Sequence, residues 1–206
     1  VLIFASVSKA VDVMIYTGHT NPRWISEANM RKQADKIIKA LKGKVSSISD
    51  FDDTKLAIGS WVKANTADKD LDIIILFGST PSTLYANPNK NPDGSPAEEF
   101  LNKGNLIANV ADYIFYSTFE TGAKGVNNGV AGLQNILNIA NITMWGEFTW
   151  VKVTEAGKKF LPTLKDFRSD RPFHVDELKG SDWEVEEVFA DADGSGKTNR
   201  ADPIVI

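Results

Sequence analysis

Hydrophobic residues fall into short runs separated by polar, glycine-containing segments over about the first 145 residues of the chain. The apolar run at 11–17 ends at Gly18 and predicts a buried strand. Ser26 predicts the N-cap of a helix through Leu41, because Glu27 follows in the first turn and apolar residues recur at helical spacing. The same patterns predict a weak strand at 44–48, a helix at 54–67, a strand at 71–77, a short helix at 97–104, strand or mixed structure at 106–110 and 113–116, a helix at 130–139 and a strand at 142–145.

This alternation of strands and helices predicts one α/β domain over residues 11–206. We expect a flavodoxin-like, doubly wound and mainly parallel sheet with helices on both faces, because the strand at 71–77 is continuously apolar. The last third contains shorter strand-like runs and predicts a C-terminal β extension, with 185–206 as a hairpin or a calcium loop. Ligands of such sheets bind beyond the carboxyl ends of the strands, which directs attention to the loops at 18–24, 78–95 and 117–129.

Composition narrows the classes of function. The chain has 206 residues, no cysteine and a formal net charge of −4. Without cysteine there is no thiol nucleophile, disulfide or thiolate metal site. The 23 Lys and Arg residues are scattered, so no basic patch indicates a nucleic-acid partner.

The first ten residues are apolar and then small, with Ser8 and Ala10 two positions apart. This pattern is typical of the end of a secretory signal cleaved after Ala10, and it predicts export to the periplasm or the cell surface. A first strand of the fold is the alternative interpretation of the same residues. No apolar run reaches 18 residues, so we expect no membrane span.

Three features together resemble the class I glutamine-amidotransferase-like fold, and within it the ThuA-like (trehalose utilisation-like) domains. They are a strand that runs into a Thr-Gly-His loop at 17–19, the strand Asp-Ile-Ile-Ile-Leu at 72–76, and the segment containing His174, Asp176 and Glu177. The resemblance covers roughly residues 11–180 and implies an α/β fold. It also implies a catalytic Cys near 116–120 and, downstream of it, a His-x-Glu pair. In this chain His174 and Asp176 occupy the positions of that pair. Because the chain has no Cys, glutamine hydrolysis by a thiolate is excluded.

Two hypotheses of catalysis use these histidines. In the first, Ser117 is the nucleophile of a hydrolase, His174 its base and Asp176 the carboxylate that orients the base. In the second, a divalent metal lies at the strand ends, held by His19, His174 and carboxylates such as Asp176, Glu177 or Glu120. The alternatives are that His174 and Asp176 are partly exposed residues of an edge strand and that His19 is a loop residue bonded to backbone.

A calcium loop is the third candidate site. Oxygen-bearing residues occupy positions 1, 3, 5, 9 and 12 of the segment 191–202, and Gly196 occupies position 6, as in EF-hand and dockerin loops. The ligands would be Asp191, Asp193, Ser195, Asn199 and Asp202. A polar, glycine-rich hairpin between two strands is the alternative interpretation.

Our leading expectation is an exported ligand-binding domain without amidotransferase activity, with a carbohydrate as the candidate ligand. The alternatives are the hydrolase described above and a structural or interaction domain of a larger cell-surface protein. Of the five tryptophans, Trp24 lies in the first strand-end loop and could stack on a ligand, whereas Trp61 and Trp145 are expected in the core. The candidate ligand-binding residues are His19, Arg23, Trp24, Ser79, Thr80, Ser117 and Glu120.

Overall fold

The computed structural model describes residues 10–52, 55–86, 94–110, 114–118 and 126–206. The chain divides into two compact units, Val1–Asn128 and Gly129–Ile206, where the sequence predicts one domain. Residues 1–9 of the expected signal segment and Glu120 lie outside the described residues.

The first unit is built on a parallel sheet of four strands in the order β2-β1-β3-β5. This confirms a mixed α/β architecture with a parallel sheet. Its strands and helices are β1 (Asp12–Tyr16), α1 (Glu27–Leu41), β2 (Ser47–Phe51), α2 (Lys55–Ala67), β3 (Ile73–Leu76), β4 (Ser79–Thr80), α3 (Pro96–Asn102), β5 (Leu106–Asn109), β6 (Ser117–Thr118) and β7 (Val126–Asn127).

The two central strands, β1 and β3, are buried on both faces. Val13 and Ile15 pack in one cluster with Met30 and Ala34 of α1. Met14 and Ile74, whose side chains point to the opposite face, are fully buried as well. Burial on both faces explains why these strands are continuous apolar runs without alternation.

Local sequence signals set the helix ends. The Ser26 side chain accepts from the Asn29 backbone N–H, so α1 begins where the sequence predicts. Ser95 and Glu98 form a reciprocal capping box at the start of α3, and Pro96 occupies its first turn.

The second unit is mainly antiparallel. One sheet has the order β10-β13-β12-β8-β9, and a separate pair joins β11 to β14. Its elements are α4 (Val130–Leu137), β8 (Thr149–Val153), α5 (Glu155–Phe160), β9 (Phe167–Ser169), β10 (Phe173–His174), a 3₁₀ helix (Val175–Leu178), β11 (Glu187–Val188), β12 (Ala190–Asp191), β13 (Arg200–Ala201) and β14 (Ile204–Val205).

Two local expectations for this unit are wrong. Residues 142–145 form no strand, and Trp145 is 54% exposed where a core position is expected. The apolar residues Ile142 and Met144 of that segment are buried, but the segment has no strand partner to complete a ladder.

In the part of the chain that the structure describes, no helix is both long and apolar enough to cross a membrane.

Candidate functional site

The chain turns sharply at the carboxyl end of β3. Gly78 has φ +80°, a left-handed conformation that a side chain would strain, and its N–H donates to Asn109 Oδ1 at the end of β5 at 2.8 Å. This turn directs the chain from β3 into the two-residue strand β4. The residues that follow therefore lie at the edge of the parallel sheet where ligands of α/β folds bind.

Four hydroxyl-bearing residues lie on two paired strands there, and we call them the hydroxyl cluster: Ser79, Thr80, Ser117 and Thr118. Strands β4 and β6 pair in parallel, with Ser79 beside Ser117 and Thr80 beside Thr118. All four residues are at most 5% exposed. The structure thus brings together three of the residues that the sequence proposed for ligand binding and adds Thr118, which has no distinguishing local pattern.

The hydrogen bonding of the cluster divides it into two halves. Ser117 Oγ donates to Asn127 Oδ1 at 2.8 Å, and Thr118 Oγ1 donates to the Tyr85 carbonyl at 3.1 Å. Ser79 Oγ and Thr80 Oγ1 are fully buried and have no hydrogen-bond partner among the described residues. A buried hydroxyl without a partner costs about 1–3 kcal/mol, and folded proteins leave few such groups.

The first strand-end loop is tied to the same edge. Thr20 Oγ1 donates to the Phe77 carbonyl at 3.0 Å, and the Trp24 ring packs edge-on against Tyr116 with centroids 5.8 Å apart. His19 Nδ1 lies 3.9 Å from Glu27 Oε1. Arg23 is exposed. Thr20 and Trp24 therefore anchor this loop to the end of β3 and to the residue before Ser117.

A charged network that sequence inspection missed lies at the adjacent ends of β1 and β2. Arg31 Nη2 lies 2.7 Å from Asp50 Oδ2, and Thr17 Oγ1 donates to Asp50 Oδ1 at 2.8 Å. The hydrogen bond to Asp50 raises the pKa of Arg31, so the guanidinium stays charged. This network joins α1 to the sheet.

In the second unit, His174 is 3% exposed and lies between two carboxylates. Its Nδ1 is 3.0 Å from Glu177 Oε1, and its Nε2 is 3.2 Å from Glu147 Oε1. The second contact has the distance of an ion pair but not the alignment of a hydrogen bond, since Nε2 has no hydrogen-bond partner among the described residues. Thr143 Oγ1 completes the site 3.0 Å from Nδ1.

Burial acts to raise the pKa of Glu177, but hydrogen bonds from His174 and Thr143 outweigh it and lower that pKa. Asp176 instead accepts from Arg200 Nη1 at 2.8 Å. The sequence suggests Asp176 as the carboxylate partner of His174, whereas in the structure Glu177 and Glu147 contact the imidazole ring. One signal could have identified Glu177: a residue three positions after His174 lies on the same side of a 3₁₀ helix.

The proposed Ser117–His174–Asp176 triad draws on both units. Ser117 belongs to the first unit and bonds Asn127, whereas His174 and Asp176 belong to the second and pair with Glu177 and Arg200. Each of the three side chains has a partner within its own unit. The triad stays a prediction, as does a metal held by His19 and His174.

The candidate calcium loop is a tight polar turn between β12 and β13. Asp191 is fully buried; its Oδ1 accepts from Gly194 N at 2.6 Å and its Oδ2 from Thr198 N at 3.0 Å. Burial acts to raise the pKa of Asp191, but donors from Thr198, Gly194 and Gly196 lower it overall. Asp193 Oδ1 accepts from the Ser195 N–H, and Ser195 Oγ accepts from the Lys197 N–H.

The remaining candidate ligands of this loop also have other contacts. The Asn199 carbonyl accepts from Val175 N, and Asp202 Oδ2 accepts from Ser169 Oγ. Among the described residues, no three His, Asp or Glu side chains are grouped closely enough to hold a metal ion. Calcium binding stays a prediction.

No family model, no curated protein and no solved structure matches the chain. The functional assignment therefore depends on the geometry of the described residues.

Proposed function

We propose that the first unit is a ligand-binding module whose site is the hydroxyl cluster at the carboxyl end of β3. One observation supports this most: Ser79 Oγ and Thr80 Oγ1 are buried without a hydrogen-bond partner among the described residues. Such groups cost stability in the unliganded chain. A ligand that bonds to one of these hydroxyls would remove its part of that cost.

The cluster favours a neutral, polyhydroxylated ligand such as a sugar. Its members carry hydroxyl groups, and their nearest partners are the amides of Asn127 and Asn128 and a backbone carbonyl. Hydroxyls and amides can both donate and accept, which suits a ligand whose own hydroxyls do the same. The side-chain hydrogen bonds of Ser117 and Thr118 within the described residues are all made to uncharged groups.

We further propose that the first unit has a flavodoxin-like, doubly wound fold of the amidotransferase-like class, close to ThuA-like domains. The order β2-β1-β3-β5 supports this, because it equals the flavodoxin-like order 2-1-3-4 once the two-residue strand β4 is set aside. Export to the periplasm or the cell surface belongs to the same proposal, on the composition of residues 1–10.

The test is a binding screen on the full chain with mono- and disaccharides, measured by ligand-observed NMR and then calorimetry. For a sugar that binds, we expect Ser79→Ala to weaken affinity about tenfold, because one hydrogen bond is lost and a ligand hydroxyl is left unpaired. Ser60→Ala, at an exposed position of α2, is the matched control and should bind as the parent does.

Two results would contradict the proposal. One is that no sugar in the screen binds more weakly to Ser79→Ala than to the parent. The other is Ser79-dependent binding that favours charged analogues such as sugar phosphates, because the hydrogen-bond partners of Ser117 and Thr118 are uncharged.

A further inference from the structure

Strands β8 and β9 of the second unit present aromatic and cationic side chains to solvent. We call this the β8–β9 face: Phe148, Trp150, Lys152 and Arg168. Trp150 is 56% exposed and Phe148 is 54% exposed. Their side chains are therefore accessible to a ligand.

Strand geometry places three of these side chains on one side of the sheet. Trp150 and Lys152 are two residues apart in β8, so they point the same way, and Val151 between them is fully buried. Trp150 is directly opposite Arg168 across the antiparallel pair β8–β9. Directly opposed residues share a face and lie within side-chain contact.

Arg168 holds Phe148 in place. Its Nε donates to the Phe148 carbonyl at 2.8 Å, and its guanidinium carbon lies 5.2 Å from the centre of the Phe148 ring. The backbone N–H groups of Glu147 and Phe148 both donate to the Asp170 carbonyl, at 2.9 and 3.3 Å.

Phe148 also has φ +54°, a left-handed conformation that is strained for an aromatic residue and that tends to occur at functional sites. The exposed ring is thus fixed before any partner arrives, which lowers the entropic cost of binding.

Two cations of this face, Lys152 and Arg168, form no ion pair within the described residues. The carboxylate of Asp166 lies beside them, where it accepts from the Val153 backbone N–H at 2.9 Å, and two further carboxylates nearby are paired with other cations. Glu147 pairs with Arg200, and Asp170 pairs with Arg171. Two unpaired cations beside an exposed indole are complementary to an anionic partner with apolar faces.

The size of the face decides between a protein and a smaller partner. A stable protein interface needs about 800 Å² from each side. Two half-exposed rings offer roughly 200 Å². That area suits two or three sugar rings of a chain lying across the strands.

We propose that the β8–β9 face binds an acidic polysaccharide rich in uronic acid. The C–H face of a sugar ring would stack on the Trp150 indole, and uronate carboxylates would pair with Arg168 and Lys152. This site belongs to the second unit and does not depend on the hydroxyl cluster.

The test uses the full chain and a galacturonate hexamer, with affinity measured by calorimetry. A neutral glucose hexamer of equal length and a single-stranded DNA oligonucleotide are the comparators. We expect Trp150→Ala and Arg168→Gln each to weaken hexamer binding at least about tenfold, and the neutral hexamer to bind the parent at least about tenfold more weakly. Added salt should weaken binding as well.

Phe160→Ala is the matched control, because Phe160 is also 56% exposed and also has a cation over its ring, the Nζ of Lys159 at 4.6 Å. It should leave affinity unchanged. Arg168→Lys keeps the charge but loses the planar fork, so an intermediate loss is expected, and this variant stands in if Arg168→Gln does not fold.

The proposal is overturned if the galacturonate hexamer does not bind, or if Phe160→Ala weakens binding as much as Trp150→Ala. Equal binding of the neutral hexamer would also overturn it, and so would tighter binding of the DNA.

Discussion

Glu177 is held as a carboxylate by donors from two residues. Thr143 N donates to its Oε2 at 2.6 Å, and His174 Nδ1 lies 3.0 Å from its Oε1. These donors lower the pKa of Glu177 below its ordinary value of 4.5 in spite of burial. The folded pKa is below the unfolded one, so the ionised carboxylate adds stability above about pH 4.5, and this is lost as pH falls through the folded pKa.

We therefore predict that Glu177→Gln lowers the free energy of unfolding by about 1–3 kcal/mol at neutral pH, because charged hydrogen bonds are lost. The difference between parent and variant should be smaller at an acid pH below the lowered pKa of Glu177 than at neutral pH, because the parent carboxyl is then protonated too. Urea denaturation at both pH values measures this. Glu184→Gln, at an exposed site, is the control, and an equal deficit at both pH values would contradict the account.

Asp191 organises the turn between β12 and β13 through its two carboxylate oxygens. We predict that Asp191→Ala lowers the unfolding free energy by about 1–3 kcal/mol even in EDTA, because two part-buried backbone N–H groups lose their acceptor. The exposed Asp193 makes a single short-range contact, so Asp193→Ala should cost less. Thermal melts with and without calcium separate the structural role of Asp191 from a role in calcium binding.

A melting temperature of the parent that rises with calcium, with no rise in Asp191→Ala, would support the predicted calcium site. Equal stability of Asp191→Ala and the parent in EDTA would contradict the structural role.

Helix α5 lies so close to the segment after β11 that it needs a glycine. A Cβ at Gly157 would lie 2.0 Å from the Phe189 carbonyl oxygen and 2.6 Å from Val153 Cγ1. A backbone carbonyl cannot move aside cheaply. The clash therefore exceeds the roughly 1 kcal/mol that alanine normally adds to a helix interior.

We predict that Gly157→Ala destabilises the chain by at least about 2 kcal/mol. Gly59 in α2 is the matched control, because a Cβ there would meet only Thr83 side-chain atoms at 3.6 Å or more. Gly59→Ala should stabilise by about 0.5–1 kcal/mol. Denaturant midpoints measure both, and the same sign for the two variants would contradict the packing described here.

Elements with strong local signals could be predicted from the sequence. Helix α1 begins at the predicted cap Ser26, and the strand expected at 71–77 is found at Ile73–Leu76. The exposed Trp145 shows where local patterns fail: it follows two buried apolar residues, yet no strand partner forms. Periodicity predicts strands only where a partner strand is available.

The whole chain divides into two units, and the sequence gives no composition change at 128–129 that would predict it. The candidate site was partly predictable, because carboxyl ends of parallel strands collect ligand-binding loops and Ser79, Thr80 and Ser117 lie there. The pairing of β4 with β6 could not be predicted, because these two-residue strands are too short to show a periodic pattern. Their pairing depends on tertiary contacts.

Our central claim is that the first unit tolerates unpaired buried hydroxyls because a ligand completes them. Two threonines of this unit allow a matched comparison, since both are at most 3% exposed. Thr80 Oγ1 has no hydrogen-bond partner among the described residues, whereas Thr20 Oγ1 donates to the Phe77 carbonyl. Replacement by valine keeps the branched shape of the side chain and puts a methyl group in place of the hydroxyl.

The most direct test is the free energy of unfolding of Thr80→Val and Thr20→Val, measured without ligand. We expect Thr80→Val to be more stable than the parent by about 1 kcal/mol, because an unpaired buried hydroxyl is removed. Thr20→Val should be less stable by about 1 kcal/mol, because a hydrogen bond is lost. A Thr80→Val variant destabilised as much as Thr20→Val would contradict the claim, since its hydroxyl would then already be bonded within the unliganded chain.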